Sequence, residues 1–226
     1  MRRSLVLLLI LVCTGCKQPP PPEKTAAPAA GPQIRATVVT IRTTIQPDNK
    51  TYTHTLVIAR GRARSTGELD QWRLFDTNAK SVTFVDDIAK TARTEPMQSL
   101  LKKRREALAA TLPSYYPRAR ITRVKTGMVI EVGNYRRELE LSDNRAIPRG
   151  LFAMMHASDP ASSPLAPIMR AADDALTGME LFPARDHSEL PYGDKKLIVD
   201  RVVLGITERN VPQAMLTVPA GYKTTR

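Results

Sequence analysis

Apolar and polar positions alternate along most of the chain from residue 34 onward. Ile34-Arg-Ala-Thr-Val-Val-Thr-Ile-Arg-Thr-Thr-Ile45 and Tyr52-Thr-His-Thr-Leu-Val-Ile58 are rich in β-branched residues, and Pro47-Asp-Asn-Lys50 supplies a turn between them. Gln71-Trp-Arg-Leu-Phe75, Ser81-Val-Thr-Phe-Val85 and Lys90-Thr-Ala-Arg-Thr94 follow, separated by Asp76-Thr-Asn-Ala-Lys80 and Asp86-Asp-Ile-Ala89. Short strands joined by tight Asp and Asn turns predict an antiparallel meander. Parallel strands are disfavoured, because their crossovers need helices between them. Strands resume at Arg120–Val124, Met128–Val132 and Tyr135–Leu141, broken by Thr126-Gly127 and Gly133-Asn134. Leu197–Leu204 and Met215–Lys223 complete the chain.

Two stretches change period. From Met97 the apolar residues Met97, Leu100, Leu101, Leu108 and Leu112 form a helical stripe. Thr94 is its expected cap, Pro96 suits its first turn, and Leu112-Pro113 closes it. Lys102-Lys-Arg-Arg105 is expected largely on its exposed side. Pro148–His156 and Pro164–Leu176 read as a Met-rich helical region ending near Gly178. Flexible methionines fill irregular cores or line adaptable apolar pockets, and core filling is the default here. The fold class is therefore α+β, mainly antiparallel β, with two helical segments.

The amino-terminal segment obeys different rules. Met1-Arg-Arg-Ser4 is a short cationic start and Leu5–Val12 an unbroken apolar run, the pattern of an export signal. The run is too short for a spanning helix, which needs about 20 residues. The two cysteines, Cys13 and Cys16, are spaced as C-x-x-C, but the folded context of a redox pair and the further ligands of a zinc site are both missing. Thr14-Gly15-Cys16 reads instead as a lipobox: residues 1–15 form a signal peptide cut after Gly15, and Cys16 is the lipid-attachment residue. Cys13 stands where such boxes usually carry Leu. Two or more acyl chains anchor stably where one does not. Lys17 follows the cysteine in place of an inner-membrane retention Asp, so the outer membrane is favoured, with the inner membrane left open. Residues 16–33, rich in Pro and Ala, form a tether of polyproline type rather than a core. A single domain spans residues 34–226.

Charge alters the picture modestly. Of 34 Lys and Arg residues, Arg2 and Arg3 precede the cleavage point, so 32 face 22 acids, a net +10. The excess sits in residues 61–150, with 18 basic and 11 acidic residues, against 8 and 9 in 151–226. Solvated surface accounts for most of it; the export signal argues against nucleic acid, leaving anionic lipid or an acidic envelope protein as partners.

Candidate chemistry is sparse. His54, His156 and His187 have neither helical i,i+4 partners nor metal-ligand spacing, and no nucleophile-elbow or phosphate-binding Gly-rich loop is present. His54 shares a strand face with Leu56 and Ile58 and reads as a packed residue. Glu138 and Glu140 alternate with Leu139 and Leu141, which predicts a solvent-facing edge. Asp186-His-Ser-Glu189 holds triad residue types in a row, yet adjacent residues rarely converge on one atom, and Leu190-Pro-Tyr-Gly193 just after marks a turn. No catalytic, cofactor-binding or metal-ligating residue is assigned, and no enzyme is expected.

The layout resembles one known group. Trp72–Asp86 resembles a hairpin of the LolA/LolB-like half-barrel superfamily, the lipoprotein-sorting-like domains of the bacterial envelope. Lys90–Pro96 is similar to its entry into the first helix, and Val218-Pro-Ala-Gly-Tyr222 to its usual ending. Gly178-Met-Glu-Leu181 stands where Gly-x-Pro-Leu is common. The resemblance implies a curved antiparallel half-barrel with helices over its concave face, and binding of a lipid, acyl chain or lipoprotein. The other reading is an interaction protein with a closed core and a basic partner-binding face.

Overall fold

A computed structural model divides the chain into two units, Met1–Ala30 and Gly31–Arg226. It describes residues 31–66, 71–110, 119–159 and 166–225, all in the second unit. Cys16, the signal segment and most of the tether lie outside the described residues.

Twelve strands form one sheet: β1 (Gln33–Gln46), β2 (Lys50–Ala59), β3 (Arg62–Thr66), β4 (Gln71–Asp76), β5 (Ser81–Asp86), β6 (Thr91–Pro96), β7 (Arg120–Val124), β8 (Gly127–Val132), β9 (Tyr135–Ser142), β10 (Phe182–Tyr192), β11 (Lys195–Pro212) and β12 (Lys223–Thr225). The spatial order is β12-β6-β5-β4-β3-β2-β1-β11-β10-β9-β8-β7, so the sheet is open, with β12 and β7 at its edges. All pairings are antiparallel except β12 with β6.

The Asp turns behave as their chemistry dictates. Asp76 accepts the Ala79 amide at 2.9 Å, and Asp86 accepts the Ile88 and Ala89 amides at 3.0 and 2.7 Å. Strand β3 is not legible from alternation, since it is only five residues long. Its signal is the two-residue turn Arg60-Gly61, both with positive φ, which pairs Ala59 with Arg62. Strand β10 runs through Leu190-Pro-Tyr192, and the turn comes at Gly193-Asp194 instead. Pro183 is tolerated because the β9 pairing shifts register there.

Helix α1 (Met97–Ala110) starts later than its cap motif implies. Pro96 still pairs with Ser81 in the sheet, and the Met97 amide donates to the Lys80 carbonyl at 2.8 Å. Thr94, the expected cap, bonds the Thr83 hydroxyl across the strands at 2.9 Å. The Met-rich stretch is two helices, α2 (Leu151–Ser158) and α3 (Ala166–Thr177), so the helical segments number three among the described residues. Asp159 is extended at φ −73° and ψ 144°, as a residue before proline prefers.

Each sheet face carries an apolar cluster, the second confined to β1, β2, β4 to β6 and the end of β11. On one, Val39, Ile41, Leu56, Phe75, Val82 and Leu139 pack with Leu100, Leu151, Phe152, Met154 and Leu176 of the helices. On the other, Ile34, Val38, Val57, Trp72, Leu74 and Val85 pack under Leu216, in a short 3-10 turn at Gln213–Leu216. Hydrogen bonds fasten this carboxy-terminal strap: Arg62 to the Leu216 carbonyl, Arg64 to that of Met215, and Tyr222 to Asp87, which also accepts from Trp72. Covering both faces explains why β2 and β4 carry runs such as Leu56-Val-Ile-Ala59 rather than strict alternation.

Candidate binding cleft

A row of polar side chains crosses the helix-covered face at the middle of the sheet. Arg137 on β9, Asp186 on β10, Arg201 on β11 and His54 on β2 stand where neighbouring rungs carry aliphatic residues. Period-two geometry puts Arg137 on the side of Tyr135 and Leu139, and His54 on the side of Leu56. Arg137 donates to Asp186 through Nε at 2.8 Å and Nη2 at 2.7 Å, a bidentate pair in which both groups are buried. Arg201 adds one longer bond, from Nη1 to Asp186 Oδ2 at 3.2 Å, and remains half exposed.

These neighbours set the protonation states. Burial pushes the Asp186 carboxyl up, but the two arginines outweigh it and hold it below the usual carboxylate range. Burial and the Arg201 charge both lower the His54 imidazole, which is therefore neutral near pH 7. His54 makes no hydrogen bond among the described residues. The row carries two positive charges against one negative.

A second polar cluster lies between the helices. Arg104 of α1 donates through Nε to Asp173 of α3 at 2.6 Å, and His156 of α2 reaches the same oxygen at 2.9 Å. Arg104 also donates to the Asp159 carbonyl at 2.8 Å. Burial raises the Asp173 carboxyl, but His156 and Arg104 together bring it below its ordinary value. The cluster ties three helices at one point.

Between α2 and the sheet runs a cleft with two compartments that meet at His54 and Met155. The smaller, about 220 Å³, combines the polar row with Ile41, Phe152, Phe182 and Val203. The larger, about 1050 Å³, is a trough over β2 to β6, lined by threonines, Trp72, Phe84, Arg73 and Arg93. Both arginines approach the Phe84 ring, with guanidinium carbons 5.8 and 5.1 Å from its centre. Each also has an acid: Arg73 bonds Asp159 at 2.7 Å, and Arg93 meets Glu95.

The sequence candidates scatter across this geometry. His54 packs beside Leu56 as its strand face implies, yet it also lines both compartments. Asp186 and His187 point to opposite faces, and His187 meets Asp200 and Glu189 at 3.1 and 3.3 Å on the far side. Glu140 is exposed and Glu138 half-buried, Glu138 accepting from Arg136 Nε at 2.7 Å. The Lys102–Arg105 run is split rather than exposed as a block. Arg104 is buried because it falls midway between Leu100 and Leu108 at four-residue spacing, and only that spacing could have revealed it. Arg137 and Arg201 escape a reading of the sequence, since an arginine within a strand ordinarily signals a solvated face. Among the described residues no group of three or more His, Cys, Asp and Glu is arranged to hold a metal ion, and no helix is long and apolar enough to cross a membrane.

No protein-family model and no curated protein matches the chain. Among solved structures, an uncharacterized conserved protein from Thermus thermophilus aligns over 84% of this chain and 90% of its own length. Its identity is 11% and its TM-score 0.38, too low to carry an argument about shared architecture.

Proposed function

We propose that this chain is a lipid-anchored bacterial envelope protein, held at Cys16, whose folded unit is a LolA/LolB-like half-barrel that binds a hydrophobic ligand, a lipid or acyl chain. The cleft carries this reading. Its two compartments share His54 and Met155 as lining; the smaller offers Ile41, Phe152, Phe182 and Val203 to an apolar ligand, and the larger Tyr52, Trp72 and Phe84. Ligand sites are concave and largely apolar, with a few placed polar groups, and the polar row supplies those groups. Met155, at the neck, can adapt to an alkyl chain without strain. The outer membrane is the favoured destination.

The alternative, an interaction protein presenting a basic face, has less support. Lys103 bonds Glu95 at 2.6 Å and Arg104 is internal, which leaves Lys102 and Arg105 beside Glu106 and Asp174. Little uncompensated charge remains on that helix.

The test is native mass spectrometry of the Cys16→Ser chain, exported behind an ordinary cleavable secretion signal in place of residues 1–15 and purified without detergent. A stoichiometric lipid adduct lost on denaturation supports binding. A clean apo mass that persists after incubation with phospholipid and acylated peptide refutes it.

A further inference from the structure

The cleft and its rim hold several cationic or imidazole groups, and their neutralisation is uneven. Arg73 and Arg93 in the trough each face an acid. His156 shares Asp173 with Arg104, and Arg137 is spent on both oxygens of Asp186. Arg201 differs from them all. Its single long bond goes to a carboxylate already engaged by Arg137, and its Nε and Nη2 have no partner among the described residues. His54, the other unpartnered polar side chain of the smaller compartment, stands close enough to feel the Arg201 charge.

We propose that Arg201 and His54 seat the carboxylate head of a single-chain amphiphile, whose alkyl chain passes Met155 into the trough over Phe84. This rests on the reading of the cleft as a ligand site and names the ligand class. Charge selects a monoanion: Asp159, which also lines the smaller compartment, is matched by Arg73, and of the remaining groups two arginines oppose one aspartate and leave one unit of positive charge. A planar guanidinium fork matches a carboxylate, and neutral His54 adds one N–H donor. Volume selects a compact head, since the smaller compartment offers only about 220 Å³. The larger compartment, about 1050 Å³, takes the chain along Tyr52, Trp72, Phe84 and Val85, which lie among its threonines. A dianionic phosphate would leave one charge unmatched in a partly dry site.

The test is titration calorimetry on the Cys16→Ser chain with hexadecanoate, hexadecan-1-ol and phosphatidylglycerol as probes. Hexadecanoate binding about ten- to a hundred-fold tighter than hexadecan-1-ol is expected, the worth of one or two hydrogen bonds to a charged group. Arg201→Gln should bring the two probes level, and Arg201→Lys should restore part of the difference. Arg137 keeps its bidentate bond to Asp186 in both variants. Should Arg201→Gln fail to fold, the comparison of probes on the unsubstituted protein still decides, and His54→Leu should weaken hexadecanoate alone. Equal binding of acid and alcohol overturns the head-group assignment while leaving the cleft a lipid site. Phosphatidylglycerol bound in preference to hexadecanoate also overturns it. Binding of no probe overturns this inference and the function proposed above together.

Discussion

Replacing Arg104 with Met tests whether the helices are held by one buried charge pair. The Arg104 and Asp173 side chains are 2% and 6% exposed and meet at 2.6 Å, so water cannot replace a lost partner. Met fills most of the vacated length but leaves the Asp173 carboxylate with His156 alone. Removing one member of such a pair costs about 3–5 kcal/mol, since an uncompensated charge stays behind. At roughly 2–4 °C per kcal/mol for a domain of this size, the melting temperature should fall by about 6–20 °C. Circular dichroism of the Cys16→Ser chain measures it. The double variant Arg104→Met/Asp173→Leu should recover most of the loss, because an apolar replacement of a buried pair is often close to neutral. The pH dependence has a fixed sign. In the unsubstituted protein Asp173 lies below its ordinary value, so its contribution is complete above about pH 4 and fades as pH falls through the folded value. In Arg104→Met the carboxyl rises toward neutrality, so the deficit shrinks on acidification. A loss under about 1 kcal/mol, unchanged between pH 7 and pH 4, would mean that the pair does not hold the helices.

Asp186 gives a second acid-dependent effect: its stabilisation is present above about pH 4 and lost below, and Asp186→Asn should flatten the pH slope of the urea midpoint there. Leu216→Ala, which empties the cover of the outer cluster, should cost about 2–4 kcal/mol by urea denaturation while hexadecanoate affinity stays unchanged. Gly127→Ala places a Cβ against the Leu139 backbone carbonyl in the paired strand, so a loss of about 3 kcal/mol or more is expected, read from the same denaturation curves. Arg137→Met/Asp186→Leu should fold with near-native stability and bind hexadecanoate at least as tightly as the unsubstituted protein, because the net positive charge stays and Arg201 is freed from Asp186.

Much of the fold was legible in local chemistry. The meander followed from alternation and from Asp76 and Asp86, whose carboxylates close the turns they predicted. What misled were signals overridden by tertiary pairing. Pro96 has the preference of a first helical turn, yet its rung opposite Ser81 holds it in the sheet. Pro191 marks a turn by composition, but an edge of β10 free of a β9 partner accommodates it. The site was less legible than the fold. Arg137, Asp186 and Arg201 are distant in sequence and meet only because β9, β10 and β11 are adjacent. A strand pattern cannot tell an arginine on a solvated face from one beneath the helices until the helix-covered face is known.

That the helices cover one face of the sheet also decides how its two polar clusters differ. Buried ion pairs are poor sources of stability, so each needs another reason to occupy a core. The Arg104–Asp173–His156 cluster joins side chains from α1, α2 and α3, and its bonds are made among helices: it fixes their mutual register. The Arg137–Asp186–Arg201 row joins neighbouring strands that backbone hydrogen bonds already align, so registration is a redundant role for it. All three of its side chains line the cleft, to which the first cluster contributes only His156, and its charges do not cancel. A half-exposed guanidinium with spare donors, facing apolar walls, is what a scaffold needs to orient an amphiphile and is otherwise a cost to it. Position and imbalance together assign structure to the first cluster and recognition to the second.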